Sequence, residues 1–431
     1  MQREGLAPAP RGIVSKLSVI FCLLVSLGFP GNFELVYGER VGKLMEYGAF
    51  FAQILLILFS SASSWQDIEL IRLDRRYAVL YLYAALMLAE SMLVTAYPSE
   101  QLITCLRLLV TLLFVIWLTD KYSLDEILEL FALAQGVFVL VTVLFMLRHG
   151  GLAYESGTTY NRALCGLYPS KNACATELVF GIIVNVLLIR RKYRQRALTA
   201  RWLALLFAQG LLLILCQATG ALVTAAICVF VLLMPGKVRL PLGLIYIAVN
   251  ILFLFAMLTL MPLFERTIIA LGKDATLTGR IPIWNRIIEV MMEHKTLTGY
   301  GYGMFWRDSE ATRLIQSVFS MRKNTFLATL TTGAHNVVLE AWLNSGLIGV
   351  AALFIAMLHS FRFVRDMEEE TYRFCLTVMA FLTVNGLTER CLGGNYDYKM
   401  VAVFLAMALG CAAAPKQRAL RAGPEGREAE A

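Results

Sequence analysis

Apolar residues fall in blocks close to the ~20 residues needed to cross a bilayer as a helix, and the blocks recur along almost the whole chain. Spans are predicted at about 17 to 31, 44 to 62, 77 to 96, 102 to 118, 127 to 148, 173 to 189, 202 to 218, 220 to 234, 241 to 261, 338 to 361, 373 to 390 and 398 to 414. The seventh and eighth are short and share a tight turn. Connections are brief except at Arg148 to Asn172 and over the stretch from Pro262 to Val337, and long loops in compact domains are usually functional. The expected fold class is an all-α integral membrane protein of about 12 transmembrane helices. It is expected to form one polytopic domain over residues 1–431, with a large extracytoplasmic loop at 262–337 and a basic cytoplasmic tail at 415–431.

Composition supports this class. Of 431 residues, 58% are hydrophobic and 16% charged, with a mean hydropathy of +0.66, which a soluble globule could not bury. Arg3, Arg11 and Lys16 precede the first apolar stretch without a small-residue cleavage site after it, so this stretch reads as an uncleaved first helix. Counted from an inside start, cytoplasmic segments collect roughly 20 Lys and Arg, including those of the run from Arg190 to Arg196, against about 4 in the short outer loops. Both termini are therefore expected on the cytoplasmic side of the membrane. The net charge of +8 follows from basic residues facing anionic headgroups and does not point to nucleic acid. Nine cysteines show no metal-ligand spacing; Cys165 and Cys391 are the two expected in outer loops.

Ionisable residues inside spans cost at least ~2.5 kcal/mol each and need a partner or a watery cavity. Glu90 and Arg107 lie at similar depth and are placed to pair across a hairpin. Together with Glu177 and Glu389 they are expected to face an outer vestibule, the plainer alternative being that Glu90 and Arg107 form only a structural ion pair. In the large loop, Trp284, Ile287, Ile288, Met291 and Met292 recur opposite Arg286, Glu289, Glu293 and Lys295, which predicts an amphipathic helix along the membrane surface. Pro282 suits its first turn, leaving Arg280 beside free backbone amides that could hold a phosphate; the plainer alternative is an arginine snorkelling to headgroups. The following Gly299 to Trp306 resembles a potassium-channel filter only superficially, because the preceding helix is charged. A glycine-rich turn that presses backbone against a ligand or a helix is the better reading. Asn336 is placed to cap the tenth span, with His335 at its mouth, where the helix field disfavours an imidazolium.

Several of these motifs occur together in a known family. Thr278-Gly279-Arg280, Ile283-Trp284, the run from Gly299 to Trp306, Ala334-His335-Asn336 with Val337 to Glu340, and Gly346-Leu347-Ile348-Gly349, in this order, resemble the O-antigen ligase and polysaccharide polymerase superfamily. Arg162, Gly166-Leu167-Tyr168 and Lys171-Asn172 fit its smaller-loop pattern, and Thr388-Glu389 resembles its late Thr-Glu pair. The resemblance spans about 160 to 400; the first five helices match only in hydropathy.

The resemblance implies a GT-C-like membrane glycosyltransferase that moves a glycan from an undecaprenyl-diphosphate-linked oligosaccharide donor to a hydroxyl of a glycan acceptor, with inversion. On this reading Arg280, Arg162 and Lys171 bind the diphosphate and His335 is the general base. Asn172, Asn336, Glu340, Glu389, Glu90 and Arg107 support them. No cofactor is expected, and no Asp-x-Asp in an outer loop argues for a metal. The bilayer is a partner, and a chain-length regulator or a flippase would be the protein partners. Gly220 stands where many ligases carry arginine, which favours a polymerase of repeat units over a ligase that transfers finished chains to lipid A core. A flippase or transporter is the rival class, set aside because transporters use repeat halves and helices broken at midplane, neither of which is legible here.

Overall fold

The computed structural model describes residues 12–28, 34, 36–59, 74–155, 162–234, 239–261, 263, 279–321, 333–389 and 397–413. Each expected span contains a helix: α1 (Ile13–Ser26), α2 (Glu39–Phe59), α3 (Ala78–Val94), α4 (Pro98–Lys121), α5 (Leu124–Arg148), α6 (Lys171–Arg194), α7 (Ala200–Leu215), α8 (Thr219–Leu233) and α9 (Leu242–Thr259). The loop helices α10 (Arg280–Val290) and α11 (Ser309–Met321) follow, then α12 (Val337–Ser360), α13 (Glu369–Gly386) and α14 (Tyr398–Ala412). No strand occurs among the described residues; a single bridge joins Tyr154 and Leu164. Among the described residues seven helices are long and apolar enough to cross a membrane, namely α2 to α6, α9 and α12. α1, α7, α8 and α14 are shorter apolar helices, and α13 opens on Glu369, Glu370 and Arg373. This is an all-α, multi-pass membrane protein.

The chain packs as two compact units, Met1–Arg72 with Leu113–Ala226 and Leu73–Leu112 with Ile227–Ala431. In the first, α1 packs on α2 and α5, and α6 on α5 and α7. Gly181 makes room for polar side chains between helices, because a Cβ there would stand 2.5 and 2.6 Å from the Gln209 and Gln135 amides. Gln135 donates to the fully buried Glu177 at 2.5 Å, and Asn185 donates to the Trp202 carbonyl at 3.0 Å. Glu177 is thus an interior acceptor between α5 and α6, and does not face a vestibule as expected. Part of the basic run at the end of α6 is neutralised by α5, since Arg191 pairs with Asp125 and Lys192 with Glu129.

In the second unit α12 is the central element, packed on α3, α9 and α14, with α13 against α9 and α14. α12 is broken at Ser345 (φ −137°, ψ 18°) and Gly346 (φ 57°, ψ −170°), the latter a conformation open in practice only to glycine. The backbone groups freed there are taken by the turn after α10: Leu347 and Ile348 amides donate to the Thr296 and Leu297 carbonyls at 3.0 and 3.2 Å, and the Tyr300 amide donates to the Leu343 carbonyl at 3.0 Å. A broken spanning helix is therefore present, contrary to the sequence reading. Its backbone is satisfied by protein, which a membrane interior requires, so it does not have the open ion-coordinating form that marks transporters.

The amphipathic helix α10 is present, but its apolar face is covered by protein instead of lying on lipid. Ile283, Trp284, Ile287, Val290 and Met291 are fully buried with Phe305, Ile315, Leu339 and Leu343, while Met292 stays exposed. Packing wins because α11, α12 and the glycine-rich turn present a matching apolar surface at contact distance.

Candidate functional site

The site is built around the start of α12. Asn336 caps the helix, its Oδ1 accepting from the Val338 and Leu339 amides at 3.0 and 3.2 Å, and its Nδ2 donates to the Leu387 carbonyl at 3.3 Å. One residue thus ties the mouth of α12 to the turn that follows α13. Gly386 permits this approach: a Cβ there would sit 2.9 Å from a Val337 methyl.

His335 lies just before the cap with φ 49°, a left-handed conformation that needs support. Its neighbour Ala334 provides it. The Ala334 carbonyl accepts from Trp284 Nε1 at 2.8 Å, and the Ala334 amide donates to Glu340 at 2.8 Å. Glu340 is fully buried and also accepts from Trp306 Nε1 at 3.0 and 3.1 Å. Its carboxylate acts as a staple joining α12, the glycine-rich turn and the His335 backbone.

Glu389 lies past the end of α13, outside the spanning helix, with its side chain 24% exposed. One oxygen accepts from Arg280 Nη2 at 2.8 Å, and the other lies 3.4 Å from His335 Nδ1. The second contact is long for a hydrogen bond but is of the kind that tightens when substrate closes a site. Burial pushes the Glu389 carboxyl up. The His335 contact outweighs this together with the charges of Arg280, His335 and Lys399, so the carboxyl stays below its ordinary value. With Nδ1 turned to Glu389, Nε2 of His335 is buried without a hydrogen-bond partner, the position from which an imidazole accepts a proton.

Arg280 opens α10 behind Gly279, whose φ of 85° turns the chain into the helix, and no side chain caps that start. The helix N-terminus and the guanidinium therefore stand together, as expected, but Arg280 is also in an ion pair with Glu389. Lys399, in the first turn of α14, was missed by sequence reasoning. The only signal was a lysine at the outer end of the last predicted span.

Gly299 to Trp306 is a backbone-contact turn. A Cβ on Gly299 would stand 2.6 Å from the Gly346 nitrogen, Tyr302 N–H donates to Ser91 Oγ at 2.8 Å, and Gln101 donates to the Tyr302 carbonyl at 3.0 Å. Glu90, one residue before Ser91, is buried, and neither carboxylate oxygen has a hydrogen-bond partner. The expected pairing with Arg107 is not formed, because Arg107 is partly exposed on α4 while Glu90 is buried.

Arg162, Lys171 and Asn172 belong to the first unit. Arg162 has a left-handed φ of 63° and an exposed side chain. Lys171 is buried at the start of α6, its amide donating to Glu155 at 3.0 Å, and Asn172 is exposed. Cys165, expected to be accessible, is buried, with Sγ donating to the Leu152 carbonyl at 3.4 Å; Cys391 lies outside the described residues.

Residues 202–354 match the O-Antigen ligase family. The match covers Arg280, the glycine-rich turn, His335, Glu340 and Gly346, and stops short of Glu389 and Lys399. Over 94 residues the chain is 35% identical to the exopolysaccharide production protein ExoQ of Rhizobium meliloti (strain 1021), an alignment covering 21% of this chain and 20% of that protein. The chain thus matches about a fifth of the length of this curated relative. No solved structure matches.

Proposed function

The resemblance to the O-antigen ligase and polymerase superfamily is borne out over residues 202–354, and from it we propose that the chain is an inverting glycosyltransferase joining lipid-linked glycans at the extracytoplasmic face of a bacterial inner membrane. The observation that carries this reading is the chain of contacts Arg280, Glu389, His335, with Nε2 of the imidazole left as an acceptor.

The acceptor hydroxyl oxygen attacks the anomeric carbon of the donor glycan as its proton passes to His335 Nε2. The bond from the anomeric carbon to the diphosphate oxygen breaks on the opposite face, and polyprenyl diphosphate leaves with the electron pair. Glu389 holds the imidazole through Nδ1 and stabilises the imidazolium that forms. Arg280, at an uncapped helix N-terminus, meets the charge growing on the leaving diphosphate. The reading asks nothing of Arg162 and Lys171, which lie in the other unit.

The acceptor is taken to be a second lipid-linked repeat unit, which makes the enzyme a polymerase of the exopolysaccharide type. Gly220 and the similarity to a protein named for exopolysaccharide production support this over transfer of finished chains to lipid A core. The test is transfer by the purified chain in proteoliposomes supplied with undecaprenyl-diphosphate-linked repeats. Products of increasing length mark a polymerase. Transfer only to a core acceptor would replace that with the ligase reading, and movement of donor across the vesicle without new bonds would overturn both.

A further inference from the structure

The end of α12 away from His335 forms a second polar site. Although broken once, α12 is one of the helices long and apolar enough to cross a membrane, which puts its two ends at opposite faces. There the start of α9 crosses the end of α12 closely, since a Cβ on Gly243 would stand 3.0 Å from the Met357 carbonyl oxygen. Beside this crossing is a cavity of about 430 Å³ whose walls, among the described residues, carry Arg239, Arg362 and Arg365 and no acidic side chain.

Three features of these walls point to one ligand chemistry. Arg239 sits over the Tyr372 ring, its guanidinium carbon 4.3 Å from the centroid, and its Nη1 is buried with no hydrogen-bond partner. The first turn of α9, whose Gly243 and Leu244 line the cavity, has no side-chain cap, so its amides add positive potential. The remaining wall is apolar, with Leu244, Leu358 and Phe361 beside the guanidiniums. A phosphate would satisfy the cations, and an attached acyl chain would cover the apolar wall.

We propose that this cavity binds the phosphate of an anionic phospholipid on the membrane face opposite the glycosyl-transfer site. Free phosphate shares the headgroup chemistry but leaves the apolar wall exposed, which is why the lipid is the favoured source. The site is separate from the His335 centre and does not depend on the reaction assigned there.

The test uses the purified full chain in detergent, with lipid retention read by native mass spectrometry. Wild type should retain phosphatidylglycerol roughly tenfold over phosphatidylcholine. The double variant R362Q/R365Q, at two exposed rim positions, should bring the two lipids near parity, and R239Q should do the same. A control pair in the first unit, R194Q/R196Q, should keep the preference. Equal retention of the two lipids by wild type, or an unchanged preference in R362Q/R365Q, would overturn the proposal. Displacement of phosphatidylglycerol by millimolar inorganic phosphate would also overturn the lipid assignment and leave a free-phosphate site. Because the readout is retention, failure here says nothing against glycosyl transfer.

Discussion

At the residue scale, His335 and Glu389 have separable roles. His335→Ala should lower turnover by about two to four orders of magnitude with folding nearly unchanged, and His335→Gln, which hydrogen-bonds but is a poor base, should be similarly impaired. Near-normal transfer by a well-expressed His335→Gln protein would remove the base assignment. Glu340 would be a poor replacement, because it already accepts from Trp306 and Ala334. Glu389→Gln keeps the shape but loses the anion that supports an imidazolium, so kcat should fall by about 100-fold or more. Arg280→Lys should express and lose most transfer, since a lysine cannot keep the Glu389 contact and also offer a bidentate fork. The pH dependence has a definite sign. A carboxyl held below its ordinary value of 4.5 contributes stability that is complete above that value and is lost as pH falls through the lowered one. Melting of wild type followed from about pH 7 to about pH 3 should show a steeper acid decline than Glu389→Gln, which keeps only the part due to other paired carboxylates such as Asp125.

At the element scale, the break in α12 and the turn from Thr296 to Trp306 form one structure. Each supplies the hydrogen bonds the other lacks, and glycine is required where they touch. At Gly346 a Cβ would run into the Leu297 carbonyl, and φ there is 57°. Gly346→Ala should therefore destabilise the protein by about 1–3 kcal/mol or more and weaken transfer without touching any charged group of the site. A thermal melt in detergent measures the first effect, and an unshifted melting temperature would mean that the break can relax. The loop preceding α6 is packed in the same way. Cys165 is buried with Gly166 against Thr142 and Cys174, so in the native protein it should resist a membrane-impermeant thiol reagent and label only after denaturation.

At the scale of the whole molecule, the orientation of the chain decides which face each site meets. A cysteine introduced near Arg194 should not react with an impermeant reagent added to intact spheroplasts; labelling there would invert the topology and move the His335 site to the cytoplasm. Much of this architecture was legible in the sequence. Apolar runs in a bilayer can satisfy their backbone only as helices, so each expected span contains a helix with ends shifted by a few residues, although among the described residues only seven are long and apolar enough to cross a membrane. The Asn336 cap and the site motif were legible too, because a cap is local and the motif keeps its residue order. Glu90 and Arg107, Glu177, the covered face of α10 and the break at Gly346 were misread for a common reason. Hydropathy and spacing say that a residue is amphipathic or ionisable, but not which partner the fold brings to it. The sequence by itself determined the membrane class, the helices and the local cap at Asn336. Only the tertiary structure decided that Glu389 joins Arg280 to His335, that Glu177 belongs to Gln135, and that a turn some 50 residues earlier in the chain satisfies the broken backbone of α12. Those contacts act between residues far apart in the chain, and the requirement that buried polar groups find partners is met only once the helices have packed.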